Sequence, residues 1–227
     1  MKKVISYSLW GSNPKYTVGA VKNAQEINKY YPGWKAKFYV DITTPRGIIY
    51  ELQACENVDV VERQEIGNWR AMFWRFEASF DEDADIIIFR DTDCRLGNRE
   101  VSAVNEWLAS DKTFHIMRDH PYHKFPVLGG MWGVKSNNKY DLKNLILEYY
   151  KSQSADRYGT DYEFFISTLY PIMKSDCIEH DEFFKDIFPN STNFPLPRET
   201  NEEPFFVGEP YNSDDSVADT RHRKLFK

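Results

Sequence analysis

The chain has 227 residues, enough for one large α/β domain or two small ones with a sizeable core, and its composition is that of an ordinary globular protein, enriched only in aromatics. A formal net charge of −6 argues against a nucleic-acid binder, which carries a basic excess or stripe. Cys55, Cys94 and Cys177 are scattered and form no CxxC pair, the first apolar run is too short for a signal segment, and no stretch approaches the ~20 apolar residues of a membrane span. The expectation is a soluble, cytoplasmic protein with no transmembrane segment.

In chain order, "KVISYSLW" (3–10) predicts a strand and "GSNP" a turn. Ala20, Ala24, Ile27 and Tyr31 then share one helical face, which Pro32-Gly33 ends. "WKAKFYVD" (34–41) reads as a second strand, "RGIIYELQACE" (46–56) as a short helix and "VDVVER" (58–63) as a third strand. Trp69, Met72, Phe73, Phe76 and Phe80 make a wide apolar stripe on a helix starting near Asn68, and "DIIIFR" is the fourth strand. Strand–helix alternation of this kind predicts a mostly parallel sheet flanked by helices. Further on come a helix from about Asn98 to Ser110, a strand at "TFHIMRD" (113–119), and a loop leading into a strand within "FPVLGGMWGVKS" (125–136). A helix marked by Leu142, Leu145, Ile146 and Tyr149 follows, then one over 160–171 stopped by Pro171. The acidic "NSDDSVADTRHRK" (212–224) reads as a mobile tail.

The fourth strand ends in Asp91-Thr92-Asp93. In an open parallel sheet, ligands bind beyond the carboxyl ends of the strands. Residues i and i+2 of an extended chain point the same way, so two carboxylates here repel unless a cation lies between them. A hard divalent cation, Mn²⁺ or Mg²⁺, suits such oxygen donors, and Arg90, Arg95 and Arg99 offer partial charge compensation or phosphate contacts. D-x-D alone is a weak signal; its place at the end of a buried central strand is what gives it weight. In "LGGMWG", Gly129 and Gly130 permit close backbone approach and Trp132 offers an apolar face for a sugar. "MRDHPYH" groups Arg118, Asp119, His120 and His123 into a polar wall.

With "WRAMFWRFEASF" before it, "FRDTDCR" resembles the metal-binding motif of GT-A glycosyltransferases. The longer block "REVSAVNEWLAS…FHIMRDHPYHKFPVLGGMWG" is similar to small single-domain members from bacterial surface-polysaccharide clusters and large algal viruses. The resemblance covers roughly residues 68–135, with weaker echoes at 157–190 and 205–209. It implies a Rossmann-like GT-A α/β fold forming a single domain over 1–227. Residues 1–95 would be its nucleotide-sugar half, 96–190 its sugar and acceptor half, and 191–227 a C-terminal extension. It also implies transfer of a sugar from a nucleotide-sugar donor, UDP-linked, to a hydroxyl of a glycan acceptor, with a divalent cation and with retention slightly favoured.

Carried over, Asp91 and Asp93 are the metal ligands, with His180 as the third and Asp176 and Asp181 as competitors. The donor contacts are Tyr7, Ser8, Leu9, Trp10, Arg75, Arg90, Asp91, Thr92 and Asp93. Five residues along a helix turns Arg70 and Arg75 apart, so both cannot face one site, and the resemblance implies Arg75 as the donor-contacting arginine. Arg118, His120, Gly129, Gly130, Met131 and Trp132 face sugar or acceptor, and Asp161 and Asp119 are the catalytic carboxylates. Tyr162 departs from the family pattern, where glutamine is usual. Two other readings stand beside this one. A non-catalytic carbohydrate-binding protein is disfavoured by an intact D-x-D. A haloacid-dehalogenase-type phosphatase is disfavoured because the motif starts at 91 and its fifth residue is Arg95.

Overall fold

A computed structural model describes residues 1–136, 140–152, 157–199 and 203–226. Its strands are β1 (Lys3–Leu9), β2 (Lys35–Val40), β3 (Val58–Glu62), β4 (Ile86–Phe89), β5 (Phe114–Arg118), β6 (Trp132–Lys135) and β7 (Cys177–Asp181). They form one seven-stranded sheet in the order β3-β2-β1-β4-β6-β5-β7. All neighbouring pairs are parallel except the two made by β6, which runs against β4 and β5. The strand-order reversal between β1 and β4 puts the end of β4 at a switch point, where such sheets open a crevice.

The helices are α1 (Pro14–Tyr30), α2 (Arg46–Ala54), α3 (Asn98–Ala109), α4 (Leu142–Ser152), α5 (Thr160–Phe164) and α6 (Tyr170–Met173), with a 3₁₀ helix over Trp69–Phe80. Ile86, Ile87, Ile88 and Phe89 are all buried because both faces of the sheet are covered, which is why this strand is apolar throughout and does not alternate. On one face Phe73, Phe76, Phe89, Trp132 and Phe164 pack together beneath the 3₁₀ helix, α4 and α5. On the other, Ile5, Phe38, Ile88, Val104 and Trp107 pack beneath α1, α2 and α3. No helix of the described residues is long and apolar enough to cross a membrane.

Three expectations change. The helix after Asn68 is wound as 3₁₀, its start capped by Asn68 accepting from the Arg70 N–H. Pro171 does not stop its helix: α5 passes through a π-helical stretch, Phe165–Leu169, into α6 and ends at Lys174. The wider π turn, in which the Tyr170 N–H reaches the Phe165 carbonyl, carries the chain past a residue that has no N–H to give. The acidic tail is docked. Asp215 pairs with Lys22 of α1 and with Arg95 at 3.0 Å, and Arg223 pairs with Glu203 and Glu209 at 2.5 Å.

Candidate functional site

The acidic turn after β4 is fixed from two sides. The Asn23 side-chain amide of α1 donates to the carbonyls of Thr92, at 3.2 Å, and Cys94, at 2.9 Å. Gly19 lets α1 come this close, since a Cβ there would meet the Thr92 carbonyl oxygen at 2.2 Å. From the C-terminal segment, the Tyr211 N–H donates to the Asp93 carbonyl at 2.8 Å.

Arg75 sits at the centre. Its backbone is tied to β1, with its N–H on Ser8 Oγ at 2.9 Å and its carbonyl accepting from Ser6 Oγ at 2.7 Å. Its buried guanidinium pairs with Asp91, lies 3.6 Å from Asp161 Oδ2 and donates to the Arg90 carbonyl at 3.3 Å. Arg70 turns away to the carbonyl and ring of Tyr150. The chain at 129–130 must be glycine because these groups fill its side: a Cβ on Gly129 would fall 2.4 Å from Arg75 and Asp161, and one on Gly130 2.1 Å from Asp91 Oδ2.

Beside this cluster opens a cavity of about 520 Å³. Of the residues named from sequence, Ser8, Leu9, Trp10, Arg75, Asp91, Thr92, Asp93, Gly129 and Asp161 line it, with Gly130 backing Asp91. The Asp91 side chain is 43% exposed and open to the cavity, while Asp93 is 14% exposed and meets Lys15 Nζ at 2.8 Å. Burial, then the charge of Asp91, pushes the Asp93 carboxyl above the usual range. Burial, opposed by Arg75, pushes Asp161 up to about 6, and its Oδ1 is buried without a hydrogen-bond partner.

Other named residues fall elsewhere. Tyr7 is fully buried, stacked on Phe38 with ring centres 4.5 Å apart. Arg90 turns inward to Glu100 at 2.7 Å. Trp132 has no exposed face for a sugar: it packs in the core with its ring centre 4.2 Å from Phe89. Met131 is buried with Met117, Phe194 and Val207. Arg118 is fully buried on Glu179 and Asp181. Both Asp119 oxygens are taken, by Arg99, Arg198 and the Val207 N–H, so it is no free base. His120 is 5% exposed, and its Nδ1 accepts from the Tyr122 N–H at 3.1 Å.

His180 is fully buried on β7, its Nδ1 2.9 Å from His115 Nε2, and burial pushes it down to about 4. It does not line the cavity. Its competitors are also engaged, Asp181 by Arg118 and Asp176 by the Thr113 N–H. Among the described residues no three His, Cys, Asp or Glu side chains are grouped to hold a metal ion. That leaves Asp91 and Asp93 as a pair.

The sequence reading missed Lys15, Asn13, Tyr16, Trp69, Met72 and Tyr158, all lining the cavity. For the first three the signal existed. They open the helix that follows β1, and in a parallel sheet that helix starts at the ligand edge. Tyr162 also lines the cavity, stacked on Phe125 with ring centres 4.6 Å apart.

The chain matches no family model and no curated protein. Solved structures are similar to it in shape. A glycosyltransferase involved in glycosylation of the major capsid of PBCV-1 superposes with a TM-score of 0.53 at 11% identity, covering 80% of this chain and 82% of that one. A mannosyltransferase from Pyrobaculum calidifontis, in complex with GDP-Man and Mn²⁺, gives 0.52 at 14% identity, over 80% of this chain and 55% of that one. The 4-diphosphocytidyl-2C-methyl-D-erythritol synthase from Anaerococcus prevotii DSM 20548 gives 0.51 at 9% identity, over 82% of this chain and 89% of that one. Sheet order, acidic turn and these likenesses agree: the chain has the GT-A, nucleotide-diphospho-sugar transferase fold.

Proposed function

We propose that the protein is a metal-dependent glycosyltransferase that moves a sugar from a nucleotide-sugar donor, UDP-linked, to a hydroxyl of a glycan acceptor. The observation that carries this reading is the single cavity that joins Asp91 and Asp93 to Asp161 through Arg75 at the carboxyl edge of the sheet. The similarity in shape to two glycosyltransferases supports it.

The pair fits a hard divalent cation, Mn²⁺ or Mg²⁺. Asp91 and Asp93 supply oxygen donors at one turn, and the Asp93 carboxyl, raised first by burial and then by the charge of Asp91, is one whose charged form a cation would favour. Such cations keep several ligand positions for water and substrate phosphate, so two carboxylates suffice. When bound, the cation stabilises charge on the departing diphosphate as a Lewis acid. The chain does the rest. Arg75 fixes Asp91 and holds Asp161 at the cavity wall. Trp10, Met72 and Leu9 give the cavity apolar surface for the base and exclude water from it. Asp161 lines the cavity beside Arg75, where its carboxyl faces the donor-sugar end. Asp161 is enclosed at the cavity wall beside Arg75, and both Asp119 oxygens are engaged elsewhere, so neither is placed as an open base for an acceptor hydroxyl, which favours retention.

The likeness to the cytidylyl enzyme makes nucleotidyl transfer the second reading. One assay separates them: release of nucleoside diphosphate from a panel of nucleotide sugars with Mn²⁺, against release of pyrophosphate from nucleoside triphosphates. Diphosphate release supports sugar transfer; pyrophosphate release alone overturns it.

Asp161 also makes a stability prediction. Its folded pKa of about 6 lies above the ordinary 3.8, so the fold favours the protonated form. That contribution is present at low pH and is lost as pH rises from about 4 through about 6. Asp161→Asn, which never ionises, therefore gains on the wild type as pH rises, by up to about 3 kcal/mol near neutrality. Urea unfolding at about pH 5 and about pH 8 measures it. The gap between the two proteins should widen at the higher pH; a constant gap contradicts a buried, charged Asp161.

A further inference from the structure

Among the described residues two cationic side chains line the cavity, Arg75 and Lys15, and they are held very differently. Arg75 is buried and shared by Asp91, Asp161 and the Arg90 carbonyl. The Lys15 side chain is 28% exposed and forms one ion pair, with Asp93 Oδ2 at 2.8 Å. Its ammonium also lies over the ring of Tyr16, 5.3 Å from the ring centre. The other cations around the acidic turn are engaged outside the cavity, Lys22 and Arg95 on Asp215 and Arg90 on Glu100. The Lys15 backbone is fixed in the first turn of α1, its N–H on Asn13 Oδ1 at 3.0 Å. Only its flexible four-carbon arm is free to move.

An ammonium and a metal ion cannot share Asp93 Oδ2, the oxygen that Lys15 now holds. A hard divalent cation binds carboxylate oxygen at about 2.1 Å. An ammonium left at its present distance from the same oxygen would then touch a dication, which like-charge repulsion opposes strongly at that range.

We propose that Lys15 is the resident counter-ion of Asp93 and becomes a diphosphate-binding residue when a metal ion takes its place. The proposal rests on the donor-and-metal reading of the cavity. In the metal-free protein the ammonium neutralises Asp93. On metal binding it lets go, and the incoming diphosphate is the nearest anion within its reach. The residue thus opposes metal binding alone and favours metal and nucleotide together.

The test is calorimetric. Mn²⁺ alone is titrated into metal-free wild type, Lys15→Gln and Lys15→Arg, all checked for matching far-UV spectra. UDP, GDP and CDP are then titrated at saturating Mn²⁺. Lys15→Gln should bind Mn²⁺ about tenfold more tightly without nucleotide and the preferred diphosphate about tenfold more weakly with it. Lys15→Arg, which keeps the charge, should stay near wild type in the first titration. Unchanged or weaker Mn²⁺ binding by Lys15→Gln, in a protein whose wild type binds Mn²⁺, overturns the counter-ion role alone. Unchanged diphosphate affinity overturns the second role. A wild type that binds neither Mn²⁺ nor any diphosphate overturns the proposal together with the reading of the cavity.

Discussion

Asp93→Asn lowers Mn²⁺-dependent release of nucleoside diphosphate by on the order of a hundredfold or more. The melting temperature moves little. The two effects separate because of where Asp93 stands. Its carboxylate is largely buried and sits beside Asp91, so its charge is held in the fold at a cost. Asparagine removes that cost, while Lys15, partly exposed, is rehydrated when it loses its partner. What is lost is the anionic oxygen that a divalent cation needs. Calorimetric titration of Mn²⁺ into the variant should show binding weakened at least tenfold. An unchanged titration removes Asp93 from the metal's ligands.

Arg118→Met has the opposite signature. It should destabilise the fold by about 3–5 kcal/mol. For a chain of this size that lowers the melting temperature by on the order of 10 °C. Arg118 has no solvent exposure; it pairs with Glu179 and with Asp181 at 2.5 Å, donates to the Pro126 carbonyl and lies 3.9 Å over the ring of Phe188. Methionine keeps much of the stem but strands two buried carboxylates, and the loss comes from those unpaired charges. Chemical unfolding gives the measurement. Had Arg118 faced a sugar, as its place in "MRDHPYH" suggested, the variant would lose turnover and keep its stability.

These two residues show what a sequence makes legible. The place of Asp93 is a local fact: an apolar run too continuous to be half-exposed ends in carboxylates, and parallel sheets put such ends at a crevice. Winding showed only that Arg70 and Arg75 could not both face the site; it was the family resemblance that singled out Arg75. Arg118 was not readable. Its partners lie 61 and 63 residues away on β7, and nothing in the local pattern separates an arginine paired across a sheet from one facing a ligand. Trp132 and Tyr7 failed for the same reason. Each sits beside ligand-like glycines or turns, but the alternation of its strand points it into a core built by distant segments. His180 lies within β7 at the sheet's far edge, its ring against His115, a pairing with a residue 65 positions away that the local pattern does not show. The tail misled by composition. Its acidic residues look solvated until Lys22 and Arg95 are found opposite Asp215.

On the proposed function, the cavity at the end of β4 binds a nucleotide diphosphate through a cation held by Asp91 and Asp93. The most direct test is anomalous scattering at the manganese edge from crystals grown with Mn²⁺ and UDP. One strong peak is expected within ligand distance of oxygens from both Asp91 and Asp93, with nucleotide density in the cavity between Trp10 and Arg75. A peak at the His115–His180 pair, or nucleotide bound with no metal at the acidic turn, would contradict this reading.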